Sequence, residues 1–262
     1  MPMLPDYNAA FWLAAITAVL ILGIAKSGFG GGIGFVATPL IALTISVADA
    51  AALLLPILII IDLLSIRHYR GVYDKPSLKL LLPSAILGIF LGALVFNASR
   101  DNEELLRRAL GLLAVLFVIY QVGRSALMGV LEGHRPGQAV GIFLGVLSGF
   151  GSTLAHAGGP PATMYLLPQK LPRRIFAGTA VWFFFVVNLI KLIPYGALGL
   201  LRVGNLVTVL LLTPVAFIGV WLGIKLNRNF DEQWFNRVIY LFLFLTGLQL
   251  LTGGALMRMV FG

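Results

Sequence analysis

The chain contains the same short sequence twice, each time inside a long apolar run. Ser-Gly-Phe-Gly occupies residues 27–30 and again residues 148–151, and a proline follows each copy at the same distance, as Pro39 and Pro160. Further glycines surround each copy. They cannot continue a stable helix, because each glycine costs about 1 kcal/mol relative to alanine. The sequence therefore predicts two interrupted helices at corresponding places in a duplicated chain.

The apolar runs are long and numerous enough to define the class of protein. Of the 262 residues, 59% are hydrophobic and only 11% are charged, whereas a soluble domain carries about 25% charged residues. Runs of roughly 18–25 apolar residues match the length of a membrane-spanning helix. We therefore predict an all-α polytopic membrane protein that is embedded in the lipid bilayer and has no separate soluble domain.

Five helical segments are expected in each half of the chain. They cover about 8–25, 35–45, 49–66, 77–96 and 104–124, and then 138–150, 160–168, 172–193, 203–226 and 234–257. The second segment of each half is too short to cross a hydrocarbon core of ~30 Å, so each half should contain a broken or re-entrant helix pair. The polar stretch 126–137 then joins an N-terminal repeat, 1–125, to a C-terminal repeat, 138–262.

Further matches extend the duplication beyond the interruptions. A proline and two glycines recur at one offset, and an Asn, an Asp and an Arg recur at an offset one residue shorter. The pairs are Pro83/Pro214, Gly88/Gly219, Gly92/Gly223, Asn97/Asn227, Asp101/Asp231 and Arg107/Arg237. The four glycines of this set are also typical of close packing between membrane helices.

Lysine and arginine in the loops predict the orientation of the halves. Lys26, at the break itself, is left aside. If each broken pair returns to its starting side, one face of the membrane collects 12 of the other Lys and Arg residues and the opposite face collects 6, whereas broken pairs that cross the membrane give 9 on each face. Cytoplasmic loops carry an excess of Lys and Arg, so the first arrangement is favoured. In this arrangement the two halves are inverted repeats. We expect the chain to lie in the cell (inner) membrane, with both termini outside the cytoplasm.

The composition also excludes several classes of function. The net charge of +9 lies in short loops, where membrane topology accounts for it, so nucleic acid is not expected as a partner. The absence of cysteine excludes disulfides, thiolate nucleophiles and Cys-ligated metals. His156 has no nearby carboxylate or cysteine and is a poor metal ligand. We expect no metal, no cofactor and no enzymatic activity, and the oligomeric state stays open.

The two interruptions form the predicted substrate site. Irregular backbone at membrane depth persists where it is buried in protein or lines a cavity, and paired breaks in repeated halves are typical of transporters. Free amide groups in residues 30–40 and 156–163, together with a lysine, would attract an anion. The predicted substrate-binding residues are Lys26, Gly30, Gly31, Gly32, Thr38, His156, Gly158, Gly159, Thr179, Asn188 and Lys191.

Asp62 is the one carboxylate well within a predicted span. It is a candidate for proton coupling, as is His156. Asp62 could instead be a helix-end acid paired with Arg67 or His68, or a partner for one of the intramembrane lysines.

The other polar candidates also have structural interpretations. Lys26 and Lys191 could each extend an ammonium group to the membrane interface. His156 could be a buried histidine whose ring is fully hydrogen-bonded. Thr38 and Thr179 could bond to the backbone of their own helices.

With these residues the chain resembles the sulfite exporter TauE/SafE family of membrane permeases, also called the toluene sulfonate uptake permease family. The resemblance covers essentially the whole chain. It rests on residues 26–32 with 39–40 following, on 155–161 with 165–168 following, and on 178–179, Asn188, Lys191, Pro194 and Tyr195. The second interruption departs from the commoner triple-glycine form at residues 152–154 and at His156.

The resemblance implies a secondary carrier for small sulfur-containing anions such as sulfite or organosulfonates. This agrees with the anion site predicted from the residues, and we expect transport by alternating access, with proton coupling as one option. An anion channel of the same architecture and a carrier of small carboxylates are the alternatives.

Overall fold

The computed structural model describes residues 7–28, 34–99, 101–131, 136–201, 203–226 and 232–253. These residues form ten α-helices and two single-turn 3-10 helices, at Gly34–Val36 and Leu167–Gln169. The α-helices are α1 (Ala9–Gly28), α2 (Ala37–Ala42), α3 (Val47–His68), α4 (Lys75–Ser99), α5 (Glu103–Leu131), α6 (Gln138–Ala155), α7 (Gly159–Leu166), α8 (Arg173–Ala197), α9 (Val203–Leu226) and α10 (Glu232–Leu251). The predicted all-α class is confirmed.

Seven of the described helices are long and apolar enough to cross a membrane, namely α1, α3, α4, α5, α6, α8 and α9. The described apolar part of α10, Arg237–Leu251, is shorter. At a rise of about 1.5 Å per residue, α2 and α7 are too short to cross. This pattern confirms a polytopic membrane protein and a short helix after each break.

The predicted start of the second break is wrong. The sixth segment was expected to end at residue 150, but α6 continues to Ala155. It ends at His156, which adopts a left-handed conformation with φ +55°. Two backbone bonds close this end, from His156 N–H to Ser152 O (3.0 Å) and from Ala157 N–H to Gly151 O (2.9 Å). Buried packing of α6 outweighs the low helix propensity of its glycines.

The end of α1 shows the same behaviour. The first segment was expected to end near residue 25, but the helix includes Ser27 and Gly28. The Ser27 hydroxyl lies 2.7 Å from Gly23 O and 3.0 Å from Val220 O of α9. Contact with a neighbouring helix therefore holds this turn as well.

The contacts between helices repeat when the two halves are exchanged. Helix α1 packs on α9 as α6 packs on α4, and α3 packs on α9 as α8 packs on α4. Helix α2 contacts α1 as α7 contacts α6. The α3–α8 and α5–α10 contacts each join two equivalent helices, so exchanging the halves leaves them unchanged. The matched prolines Pro83 and Pro214 lie inside α4 and α9. The duplication in sequence is thus a duplication in structure.

Helices that are equivalent in the two halves run in opposite directions where they meet. For α3 and α8 this is shown by the buried cluster of Ala51, Leu55 and Tyr195 and by the contact of Tyr69 with Trp182. For α5 and α10 it is shown by the contacts Gly111–Leu250 and Phe117–Tyr240. A two-fold axis that exchanges antiparallel helices is perpendicular to them. This is the relation that an inverted repeat requires.

Glycines allow the helix pairs that link the halves to approach closely. A Cβ atom on Gly88 of α4 would lie 2.0 Å from Val146 O of α6, and one on Gly223 of α9 would lie 2.6 Å from Ile24 O of α1. Only hydrogen fits at these distances. The packing role predicted for these glycines is confirmed.

The helices form two packed units, each of which combines parts of both halves. The first unit contains α1, α2, α3 and α9, and the second contains α6, α7, α8 and α4. Each unit therefore takes three helices from one half and one from the other. Helices α5 and α10 pack mainly on each other and, to a smaller extent, on the first unit. The two units meet along α3 and α8.

Candidate functional site

A small cavity lies between the two units. Both broken stretches reach it, since the end of α1 and the junction of α6 with α7 contribute to its wall. Its described lining is Leu22, Lys26, Gly34 and Leu58 from the first unit, and Ser152, His156, Gly159, Phe184 and Asn188 from the second. Of the predicted site residues, Lys26, His156, Gly159 and Asn188 line it; Gly30, Gly31 and Gly32 lie outside the described residues.

Lys26 forms a buried ion pair with Asp62. The Lys26 Nζ atom is 2.5 Å from Asp62 Oδ1, and the side chains are only 8% and 2% exposed. Asn188 donates from Nδ2 to the other carboxylate oxygen at 2.7 Å, and the Phe184 ring centre lies 5.6 Å from Nζ. Lys26 therefore does not extend to the interface, and Asp62 is paired with Lys26 rather than with Arg67.

Lys191 and His156 form the second polar pair of the site. His156 Nε2 lies 2.9 Å from Ala51 O, and Nδ1 lies 2.7 Å from Lys191 Nζ. Lys191 also donates to Ser152 O at 3.0 Å. Its side chain is fully buried and lies behind His156, so the structure does not place this predicted residue in the described cavity wall. Lys191 acts on the cavity through the histidine.

Fewer backbone donors are available at the second break than the sequence predicts. The amides of residues 156 and 157 are used to close α6, and residues 160 and 161 are prolines, which have no N–H. Gly158 and Gly159 keep amide groups that have no partner among the described residues. Gly158 also accepts a hydrogen bond from Ser148 Oγ at 2.6 Å, which fixes the turn into α7.

The two threonines of the predicted site lie away from the described cavity wall. Thr38 is fully buried in α2, and its hydroxyl has no partner in the described part of the chain. The Thr179 hydroxyl donates to Ile175 O at 2.6 Å and accepts from the Asp74 N–H at 2.7 Å. Thr179 thus anchors the loop between α3 and α4, and its bond to Ile175 is the backbone bond considered as an alternative.

The apolar part of the wall was missed by sequence reasoning, although a signal was present. Four polar residues at the site each have a wall residue four positions earlier on the same helix. These pairs are Leu22/Lys26, Leu58/Asp62, Ser152/His156 and Phe184/Asn188. Residues four apart lie on one helix face. The residue four positions before each polar candidate could therefore have been predicted to lie in the cavity wall.

The arrangement suits a small charged ligand. In the part of the chain that the structure describes, the ionisable groups around the cavity are two lysines, one carboxylate and one histidine, with apolar side chains between them. Among the described residues, no group of three or more potential metal ligands is found.

A comparison with protein families assigns the chain. The family model described as Sulfite exporter TauE/SafE matches residues 15–250. The chain belongs to the sulfite exporter TauE/SafE family. The resemblance seen in the sequence is confirmed, and as a TauE/SafE protein the chain is a multi-pass membrane permease rather than a member of an enzyme family. Neither the curated proteins nor the solved structures compared with it give a significant match.

Proposed function

We propose that this TauE/SafE protein is a secondary carrier that moves small sulfur-containing anions, such as sulfite or organosulfonates, across the cell membrane by alternating access. The family supports the substrate class. The small size of the cavity supports a small ligand rather than a large metabolite, and its lining by both broken stretches supports a shared site.

The observation that carries the proposal is an excess of buried basic groups. Lys26 is compensated by Asp62, whereas Lys191 has no carboxylate within ion-pair distance in the described part of the chain. A positive charge on Lys191 without a counter-ion costs several kcal/mol. An anion in the cavity would supply the missing negative charge, held by Lys26, Asn188 and the amide of Gly159.

The two packed units supply a path for alternating access. The cavity lies between them, beside the antiparallel contact of α3 and α8, so a tilt of one unit against the other would open it to one side or the other. The close packing of α1 with α9 and of α6 with α4 favours motion of these two units rather than motion of the N-terminal half against the C-terminal half.

Inversion of the halves belongs to the same proposal. The antiparallel contacts of equivalent helices support it, and the loop charges orient it with both termini outside the cytoplasm. Cysteines introduced singly at residue 8 and in the loop at residue 71 should then react with impermeant reagents from opposite sides of the membrane. Labelling of both from one side would contradict the inverted arrangement.

Uptake into proteoliposomes tests the function directly. We expect saturable uptake of labelled sulfite or methanesulfonate, and counterflow when unlabelled anion is inside. Flux that does not saturate and shows no counterflow would indicate a channel, and preference for acetate or succinate would indicate a carboxylate carrier.

The variant Lys26→Ala should reduce uptake at least tenfold, because it removes the cation in the cavity wall. Lys225→Ala is the matched control, since Lys225 is exposed and lies over Trp221. Normal transport by Lys26→Ala would remove Lys26 from the site.

A further inference from the structure

His156 is held by both of its ring nitrogens, and this fixes where its proton lies. The Ala51 carbonyl has no hydrogen, so the 2.9 Å contact requires that Nε2 carries the proton and donates it. Nδ1 faces the Lys191 amine at 2.7 Å. One hydrogen lies between these two nitrogens. It belongs to the Lys191 amine when the pair is uncharged, and to either nitrogen once the pair has taken up a proton.

The Lys191–His156 pair can therefore hold one additional proton without losing a hydrogen bond. In the uncharged state, the two hydrogens of the Lys191 amine serve His156 Nδ1 and Ser152 O. After proton uptake, Lys191 is an ammonium that makes the same two bonds, or Nδ1 is protonated and donates to the amine. The heavy atoms keep their places in both states.

The charges around the pair favour its protonation only when an anion is present. The Asp62 carboxylate already has partners, because its two oxygens accept hydrogen bonds from Lys26 and Asn188. Helix α4 has no titratable residue between Lys79 and Ser99. The titratable groups that face Lys191 are Asp62 from α3, Lys26 from α1, His156 from α6, and Tyr195 from its own helix, whose hydroxyl donates to Thr153 O.

We infer that Lys191 and His156 together carry the proton that accompanies the transported anion, one proton for each singly charged anion. This rests on the proposed carrier function and names its coupling ion. The proton passes from water to the lone pair of the Lys191 amine or of His156 Nδ1 and is released on the other side. Anion and proton each favour the binding of the other, because together they leave no net charge in the interior.

In this mechanism Lys191 shares the proton with His156 but does not contact the anion, and Asp62 is not the proton carrier. Lys191 lies behind the cavity wall and touches the anion only through His156. Asp62 stays ionised, since protonation would break its ion pair with Lys26. The sequence offered Asp62 and His156 as candidates for coupling, and the geometry selects His156 with a lysine.

Calorimetric titration of the purified full chain with methanesulfonate tests the inference. This strong-acid anion keeps its charge throughout the assay range, so any proton taken up belongs to the protein. Titration in buffers of different ionisation enthalpy gives the number of protons bound with each anion. We expect one proton for the wild type, and an affinity that falls as pH rises, by up to about tenfold per pH unit. A count of zero in the wild type overturns the inference.

The variant Lys191→Arg supplies the decisive comparison, because a guanidinium keeps its proton at every accessible pH. We expect its proton count to fall to zero and its affinity to become independent of pH. Lys225→Arg is the matched control and should keep a count of one. A count of one in Lys191→Arg overturns the inference.

The double variant Lys26→Met/Asp62→Leu separates the two possible carriers, because it removes both charges of the ion pair together, and it serves if the arginine variant does not fold. It should bind the anion more weakly, since the cation in the cavity wall is lost, but still take up one proton, whereas a count of zero would place the proton on Asp62 and overturn the inference. Failure of the wild type to bind methanesulfonate and sulfite would count against the proposed function itself. Wild-type transport without proton uptake would contradict the proton coupling but not the proposed carrier function.

Discussion

The two units of the molecule share one fold but hold different chemistry where they meet. In the first unit, Lys26 is neutralised by Asp62 within the same unit. In the second unit, Lys191 is bonded to His156 and to a carbonyl, with no carboxylate partner in the described residues. Duplication therefore fixed the helices and the cavity, while the charges on the two sides diverged. One side is a permanent ion pair and the other a site whose charge can change.

The largest expected effect on stability comes from breaking the Lys26–Asp62 ion pair while the Lys191–His156 pair is left intact. Asp62→Leu leaves Lys26 buried without a partner, and we expect a loss of about 3–5 kcal/mol in the free energy of unfolding. The double variant Lys26→Met/Asp62→Leu should recover most of this loss. Denaturant unfolding in detergent measures both. A double variant no more stable than Asp62→Leu alone would contradict the pairing.

Removing the contact between the units should have a smaller effect. Asn188→Ala deletes the hydrogen bond from α8 to the Asp62 carboxylate, a bond to a charged group worth about 1.5–3 kcal/mol. Asn188→Asp is the stronger test, since it places a second carboxylate against Asp62 and should destabilise the protein more than Asn188→Ala does. Equal stability of all three proteins would show that the units do not meet through this bond.

The glycine contacts test whether the two units are built alike. Gly149→Ala would place a Cβ atom 2.0 Å from Ala85 O, and Gly223→Ala would place one 2.6 Å from Ile24 O. Each should lower the free energy of unfolding by about 1–3 kcal/mol, because the helices must separate. Gly123→Ala is the control, since a Cβ there meets open space. Loss of stability at only one glycine contact would mean that the two units are packed differently.

The smallest effect is expected away from the cavity. Thr179→Val removes the acceptor for the Asp74 N–H and should cost about 1 kcal/mol. Anion uptake in proteoliposomes should change less than twofold. A tenfold loss of uptake at unchanged stability would return Thr179 to the transport path, where the sequence had placed it.

The fold class could be predicted because it depends on properties that the sequence states directly. The length of the apolar runs and the scarcity of charge are sufficient for a polytopic helical protein. The spacing of the repeated glycines and prolines located both breaks. The ends of α1 and α6 were placed too early, because glycine propensity was weighed without the buried contacts of Ser27 and Gly149.

The candidate site could be predicted only in part. Lys26, His156, Gly159 and Asn188 were found because polar residues and dense glycine are unusual inside apolar runs. The pairing of Lys191 with His156 could not be foreseen, since it depends on the register of α6 against α8. The packing of α4 and α9 against helices of the other half could not be predicted either. A sequence repeat shows which helices are equivalent but not which of them are in contact.

The shared helices also have a consequence for biogenesis. A nascent chain that has been inserted only as far as α5 holds α4 with its glycine face turned toward lipid, because its partner α6 has not yet been made. Helix α1 waits still longer, since α9 is made only after all of α2 to α8. We expect this protein to acquire protease resistance late and in one step, rather than half by half as it leaves the ribosome.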